Sequence, residues 1–246
     1  MAPAQRDGMM SSDRGRPPIH AIVTCYNVGR FLDETLASVF SQTTTAHTVT
    51  VVDDGSTDDT QAVLARHGGR LSVVCRSNGG ISAARNSGIA SVTDGLVAFL
   101  DGDDLWTPES LDCRLAAFLA DPRLDLVYGA VRQFRSVDAA NGRVRAPHGE
   151  PLQARLAGSM LIRRDFFDRI GLFNEAFRIG ETIDWVARAA ESGARIACVE
   201  PVVLERRIHG DNTVIREKQR TGDYLRALKA SIDRRAASGH AIRDKP

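Results

Sequence analysis

A chain of 246 residues, 43% hydrophobic and 26% charged, has enough apolar mass for one large globular domain or one domain with a tail. That balance excludes collagen-like, mucin-like and mostly disordered chains. Thirty-two Lys and Arg against 31 Asp and Glu leave a net charge of +1, with no chain-wide footprint for nucleic-acid or polybasic membrane binding. Cys25, Cys75, Cys113 and Cys198 form no CxxC pair, which fits a reducing compartment and argues against a zinc knuckle or a disulfide scaffold. No apolar run approaches the roughly 20 residues that span a bilayer. Met1 to Pro18 is charged, lacks an apolar stretch and reads as a disordered leader, not a secretory signal.

From Ile19 onward, short β-branched runs alternate with helical patterns, which predicts a mostly parallel sheet flanked by helices. Strands are expected at Ile19 to Thr24, Thr48 to Asp53, Leu71 to Arg76 and Gly95 to Asp101. Arg30 to Ser41 has helical spacing, with Asp33 and Glu34 in its first turn. Ser56 and Asp59 form a candidate capping box for the next helix, closed by Gly68 and Gly69. Thr107, Pro108 and Glu109 read as N-cap, N1 and N2 of a helix ending before Pro122. The second half, residues 124–212, predicts two strands within Leu124 to Phe134 and a polar loop from Val137 to Pro151. Helices near Arg164 to Ile170 and Thr182 to Ser192 follow, then a strand at Ile196 to Leu204. Residues 213–246 form a tail whose stretch Tyr224 to Ala237 is helical by pattern, with Leu225, Leu228 and Ile232 on one face.

Ligands of open parallel sheets bind beyond the carboxyl ends of the strands, and here all four ends are polar. They carry Thr24-Cys25-Tyr26-Asn27, Asp53-Asp54-Gly55-Ser56, Asn78-Gly79-Gly80 and Asp101-Gly102-Asp103-Asp104. The fourth delivers three carboxylates within four positions. A divalent cation completed by phosphate oxygens relieves their repulsion, as Mg²⁺ is held by one or two carboxylates plus substrate phosphates. In an extended conformation Asp101 and Asp103 point one way and Asp104 the other. Asp54 either caps the following helix or accepts a hydrogen bond from a nucleoside. The glycine loop running into Ser82-Ala83-Ala84-Arg85 suits a pyrophosphate, by close backbone approach and one guanidinium. Neither GxGxxG nor a Walker lysine is present.

The ordered series Ile22-Val23-Thr24-Cys25-Tyr26-Asn27, Val51-Val52-Asp53-Asp54-Gly55-Ser56-Thr57-Asp58, Gly79-Gly80-Ile81-Ser82-Ala83-Ala84-Arg85-Asn86 and Phe99-Leu100-Asp101-Gly102-Asp103-Asp104 resembles glycosyltransferase family 2. The resemblance is close from Ile19 to Trp106 and looser from Gly158 to Asn212. It implies the GT-A fold over residues 19–212, with nucleotide-sugar binding in 19–123 and the acceptor side in 124–212. It implies an inverting transfer from a UDP-linked donor to a hydroxyl on a glycan, lipid-linked or small-molecule acceptor, assisted by Mg²⁺ or Mn²⁺. By that resemblance Tyr26 and Asn27 line the nucleoside pocket, Asp54 reads the base and Arg85 lies near the donor. Asp101 lies near the ribose and Asp103 on the metal, with Thr24, Gly80 and Gly102 completing the donor set.

An inverting transfer needs a carboxylate to take the acceptor's proton. The family's Glu-Asp pair matches Gly180-Glu181-Thr182-Ile183-Asp184-Trp185-Val186-Ala187-Arg188, with Thr182 where the Asp is expected. Glu181 and Asp184 are three apart, share a helix face if both are helical, and either reaches the acceptor. Asp184 is the preferred base and Glu181 the alternate. Arg206-Arg207-Ile208-His209-Gly210-Asp211-Asn212 resembles the family's late loop, which puts His209 on the metal or diphosphate and Arg206 or Arg207 on phosphate. The departure at Thr182 leaves a binding module without turnover as the alternative to an enzyme. The expected location is cytoplasmic, or peripheral at the inner membrane face.

Overall fold

The computed structural model describes residues 15–139, 142–210 and 222–237. The expected leader, up to residue 14, and the tail segments 211–221 and 238–246 lie outside the described residues.

The chain opens with β1 (Ile19–Cys25), α1 (Gly29–Phe40), β2 (Thr48–Asp53), α2 (Thr60–Arg66), β3 (Ser72–Cys75), α3 (Ile81–Ala90) and β4 (Leu96–Asp101). These strands lie side by side in the order β3-β2-β1-β4, all parallel. Every residue of β1 and all but the last of β4 are buried, as expected of strands covered on both faces. Period-two alternation sorts them into two cores. Ala21 and Val23 face Leu32 and Leu36 of α1, whereas Ile22 and Phe99 face Ala84 and Ile89 of α3. The approach of α3 is close because Gly88 has no side chain: a Cβ there would meet Ile22 Cγ2 at 2.3 Å.

The second half continues the same sheet through β5 (Leu105–Trp106), α4 (Ser110–Ala120), β6 (Leu126–Ala139), β7 (Gly142–Pro147), β8 (Leu152–Gln153), β9 (Met160–Arg163), α5 (Arg164–Ile170), α6 (Glu181–Glu191) and β10 (Ile196–Ile208). The order beyond β4 is β9-β6-β10-β5, with β7 and β8 on β6, giving ten strands among the described residues. Phe166, Phe167, Phe173 and Trp185 fill the core under α5 and α6 in edge-on and tilted contacts. The last helix, α7 (Gly222–Ala237), packs on α6.

Several local expectations are corrected. Leu124 to Phe134 holds one strand, not two, because β10 pairs β6 from Ile196↔Leu126 to Ile208↔Arg135. The polar stretch expected as a loop supplies β7, hairpin partner of β6 from Phe134↔Pro147 to Ala139↔Gly142. The ladder between β6 and β10 also carries β10 past Leu204 to Ile208. The Ser56/Asp59 capping box does not form. Ser56 Oγ instead donates to Asp53 Oδ1 at 2.6 Å, and α2 begins at Thr60, whose amide is held by Asp58. α1 begins at Gly29, so Asp33 and Glu34 fall beyond its first turn. α4 begins at Ser110, and its Leu111 amide is met by Gln42 Oε1 at 3.0 Å, a cap from 69 residues away that no local pattern reveals.

Candidate active site

The carboxyl ends of β1, β2 and β4 meet at one edge, and side chains tie them together. Asn27, at φ 55°, accepts from the Thr57 amide at 2.7 Å and gives its own amide to Ser56 Oγ at 2.9 Å, locking the first two loops. Tyr26, beside it, is half-buried. Thr24 Oγ1 donates to Asp101 Oδ1 at 3.2 Å, joining β1 to β4. Gly102 donates its amide to Thr24 O at 2.8 Å, where a Cβ would crowd Val28 and Cys25.

Asp54 is buried at the end of β2 and accepts from the amides of Gly79 (3.0 Å) and Gly80 (2.7 Å), while Arg76 pairs with it. It therefore fixes the glycine loop instead of capping a helix. Gly80 has φ +91°, favoured by glycine, and a Cβ there would lie 2.5 Å from Arg178 Nη1. Arg76 and Arg178 thus border this loop, and the sequence reading missed both. Their one available signal was an arginine two residues from a loop motif, Arg76 before Asn78-Gly79-Gly80 and Arg178 before Gly180-Glu181.

Arg85 is the hub. Buried in α3, it gives Nη2 to Asp101 Oδ1 at 2.9 Å and Nη1 to Glu181 Oε1 at 2.6 Å. Burial by itself would lower the guanidinium's pKa, but the two carboxylates raise it, so the group stays charged. Glu181 Oε1 also accepts from Thr182 Oγ1 at 2.9 Å, and no described residue hydrogen-bonds its Oε2. Tyr224 of α7 stands nearby: burial, with the Glu181 charge, pushes its phenol up.

Asp184 is not in this group. It is 2% exposed, with Oδ2 on Arg188 Nε (3.0 Å) and Oδ1 on Arg234 Nη1 of α7 (3.0 Å). Both carboxylates fall in the first turn of α6, as expected, but they bind different partners, Glu181 the Arg85 guanidinium and Asp184 the guanidinium groups of Arg188 and Arg234.

In the acidic segment Asp101 and Asp103 remain accessible while Asp104 is buried, accepting from the Arg207 amide at 2.8 Å. Burial, reinforced by the charges of Asp103 and Asp101, pushes the Asp104 carboxyl well above the usual carboxylate range. Asp103 Oδ2 and His209 Nε2 lie 2.8 Å apart, the imidazole against the Phe31 ring. No three metal-ligating side chains converge among the described residues. Asp103 and His209 nevertheless supply an oxygen and a nitrogen donor side by side, a set that suits a divalent cation completed by substrate oxygens.

The two arginines of β10 part company. Arg207 is fully buried, bonded to Asp103 O (2.8 Å) and Glu34 (2.5 Å) between the Phe31 and Phe134 rings, and is structural. Arg206 is half-buried, and its positive charge is felt at Asp104 and Tyr224.

Residues 20–178 match the family described as Glycosyl transferase family 2. The succinoglycan biosynthesis protein ExoU of Rhizobium meliloti is 31% identical over 90% of this chain and 70% of its own length. A chondroitin synthase of Escherichia coli is 26% identical over 94% of this chain, which spans only 35% of that protein. Among solved structures, S. aureus TarS 1-349 in complex with UDP-GlcNAc superposes with TM-score 0.65 at 21% identity, covering 80% of this chain and 60% of that one. The mannosyltransferase PcManGT from Pyrobaculum calidifontis, in complex with GDP-Man and Mn²⁺, gives TM-score 0.65 at 20% identity over 89% and 65% of the two chains. The chain belongs to glycosyl transferase family 2 and is a glycosyltransferase with the GT-A fold.

Proposed function

We propose that this chain moves a sugar, with inversion, from a UDP-linked donor to a hydroxyl of a glycan or lipid-linked acceptor. The observation that carries the reading is Arg85, which draws Asp101 of the donor edge and Glu181 of the acceptor helix to one point. TarS and the mannosyltransferase, solved with nucleotide sugars, share the fold and support a nucleotide-sugar donor here.

Tyr26, Asn27 and Asp54 shape the nucleoside pocket, Asp54 by holding the Gly79-Gly80 loop in place. Asp101 and Thr24 take the ribose side, with Gly80 and Gly102 allowing close approach of the backbone. Arg178 and Arg206 supply positive charge for the diphosphate. Mg²⁺ or Mn²⁺, held by Asp103 and His209 with Asp101 in support, would add Lewis-acid charge beside the leaving group.

The acceptor hydroxyl attacks the anomeric carbon, its proton passes to a carboxylate, and the bond from that carbon to the diphosphate oxygen breaks. Of the two candidate bases the geometry favours Glu181. Both oxygens of Asp184 are committed to arginines in a buried site, whereas Glu181 Oε2 is available beside Asp101 and Arg85. This reverses the preference drawn from the sequence. Nucleoside diphosphate release and product anomer, measured over a panel of UDP, GDP and dTDP sugars, test the reading. Glu181→Gln should cut transfer about 10²- to 10⁴-fold while binding UDP normally, and Asp184→Asn should retain most of the rate. The opposite ranking returns the role to Asp184, and UDP binding without turnover of any donor in the wild type overturns catalysis.

A further inference from the structure

An amphipathic surface helix ordinarily turns its apolar stripe to the core. α7 does the opposite. It sits on α6 through buried Ala227 and through polar groups: Ser231 Oγ bonds Glu191 at 2.6 Å, and Arg234 reaches Glu191 and Asp184. Its large apolar side chains face outward, with Leu225 69%, Leu228 52% and Ile232 64% exposed. Spaced i, i+3 and i+7, they form one stripe, and helical geometry sets Lys229 on one flank and Arg235 on the other.

The charge of the chain is divided along the same line. Residues 213–246 carry nine Lys and Arg against four Asp and Glu, a net of +5 on a chain whose total is +1, so residues 1–212 carry −4. The near-zero total conceals a basic segment built around an exposed apolar stripe. Three side chains cover far less than the roughly 800 Å² per partner of a stable protein interface, which disfavours a second copy of the chain. A lipid surface needs no such area, since a shallow apolar wedge with flanking cations suffices where the headgroups are anionic.

We propose that α7 is an interfacial membrane helix, with Leu225, Leu228 and Ile232 entering the acyl boundary of an anionic bilayer while Lys229 meets headgroup phosphates and Arg235, at the rim of its ion pair with Glu191, adds positive charge beside them. Tyr224, at the start of α7, comes within 3.1 Å of where a Cβ of Gly180 would stand, next to Glu181. Docking therefore sets the mouth of the cleft close to the headgroups. The contact stands apart from the transfer chemistry; only its consequence, that a lipid-carried acceptor meets the cleft there, rests on the proposed function.

Co-sedimentation of the full chain with phosphatidylcholine vesicles, with and without about 30% phosphatidylglycerol, tests it. The wild type should bind the anionic vesicles at about 0.1 M salt, lose most of that binding at high salt, and leave the neutral vesicles largely unbound. The variant Leu225→Ser/Leu228→Ser/Ile232→Ser should bind at least 10-fold more weakly, with UDP affinity by calorimetry unchanged as a check on its fold. Lys229→Glu should weaken binding several-fold. A wild type that stays in the supernatant, or equal binding by the triple variant, overturns the proposal. So does light scattering that shows a wild-type dimer broken by the triple substitution, which would make the stripe an interface between copies.

Discussion

Asp101 and Asp103 stand two residues apart yet face different neighbours. Asp101 is held by Arg85 and Thr24, whereas Asp103 faces His209. Replacing Asp103 should therefore remove cation-dependent affinity without disturbing the hub at Arg85. Asp103→Ala is expected to lose most of the gain in UDP affinity that Mn²⁺ confers on the wild type, measured by calorimetry with and without the ion; an undiminished gain would assign the cation elsewhere. Asp54 acts on the other side of the cleft, where its carboxylate holds two loop amides and contacts no group of the acidic segment. Asp54→Ala should weaken uridine and UDP alike, by about 10-fold each, since it leaves two half-buried loop amides without their acceptor and frees the loop. Normal uridine binding by this variant would show that the carboxylate serves the phosphates.

At the scale of elements, the α6/α7 contact is held chiefly by ion pairs and a hydrogen bond. Burial alone would raise the Glu191 carboxyl, but the hydrogen bonds from Arg234 and Ser231 and the charges of Arg234 and Arg235 hold it below its ordinary value. Arg226 and the Arg178 amide hold Asp223 down as well, against burial. A carboxyl whose folded pKa is depressed stabilises the docked state fully above its unfolded pKa, and that contribution is lost as pH falls through the folded value. Acidification from about pH 6 to pH 3 should thus free α7 before the sheet opens. Hydrogen exchange over residues 222–237 compared with β1 and β4 measures this, and simultaneous loss of protection would refute it. Arg234→Ala should release α7 at neutral pH, because it strips Glu191 and Asp184 of a partner at once.

For the whole molecule, stability rests on two cores separated by one sheet, and the distance between α3 and β1 is set by a single missing side chain. Gly88→Ala forces a methyl onto Ile22 and should cost about 1–3 kcal/mol in denaturant unfolding, despite alanine's better helix propensity. Unchanged or increased stability would mean that α3 slides to make room. Much of this architecture was legible in the chain. Runs such as Ile19–Cys25 and Leu96–Asp101 bury both faces and so declare themselves by mostly apolar, β-branched stretches, and four polar strand ends in order marked one edge of the sheet. That Thr24, Asn27, Arg85 and Asp101 meet at this edge was likewise readable, each lying within a few residues of a strand end or a loop motif. What the sequence by itself determined was therefore the parallel half-sheet, the family and the edge where the polar strand ends gather, all encoded in patterns of short range. The tertiary structure alone decided which arginines each carboxylate of α6 binds, which arginine of β10 is buried, where β6 and β10 end, and how α7 lies. Those outcomes depend on partners 50 to 173 residues away, such as Arg234 for Asp184 and Glu34 for Arg207, and no local periodicity records a contact of that range.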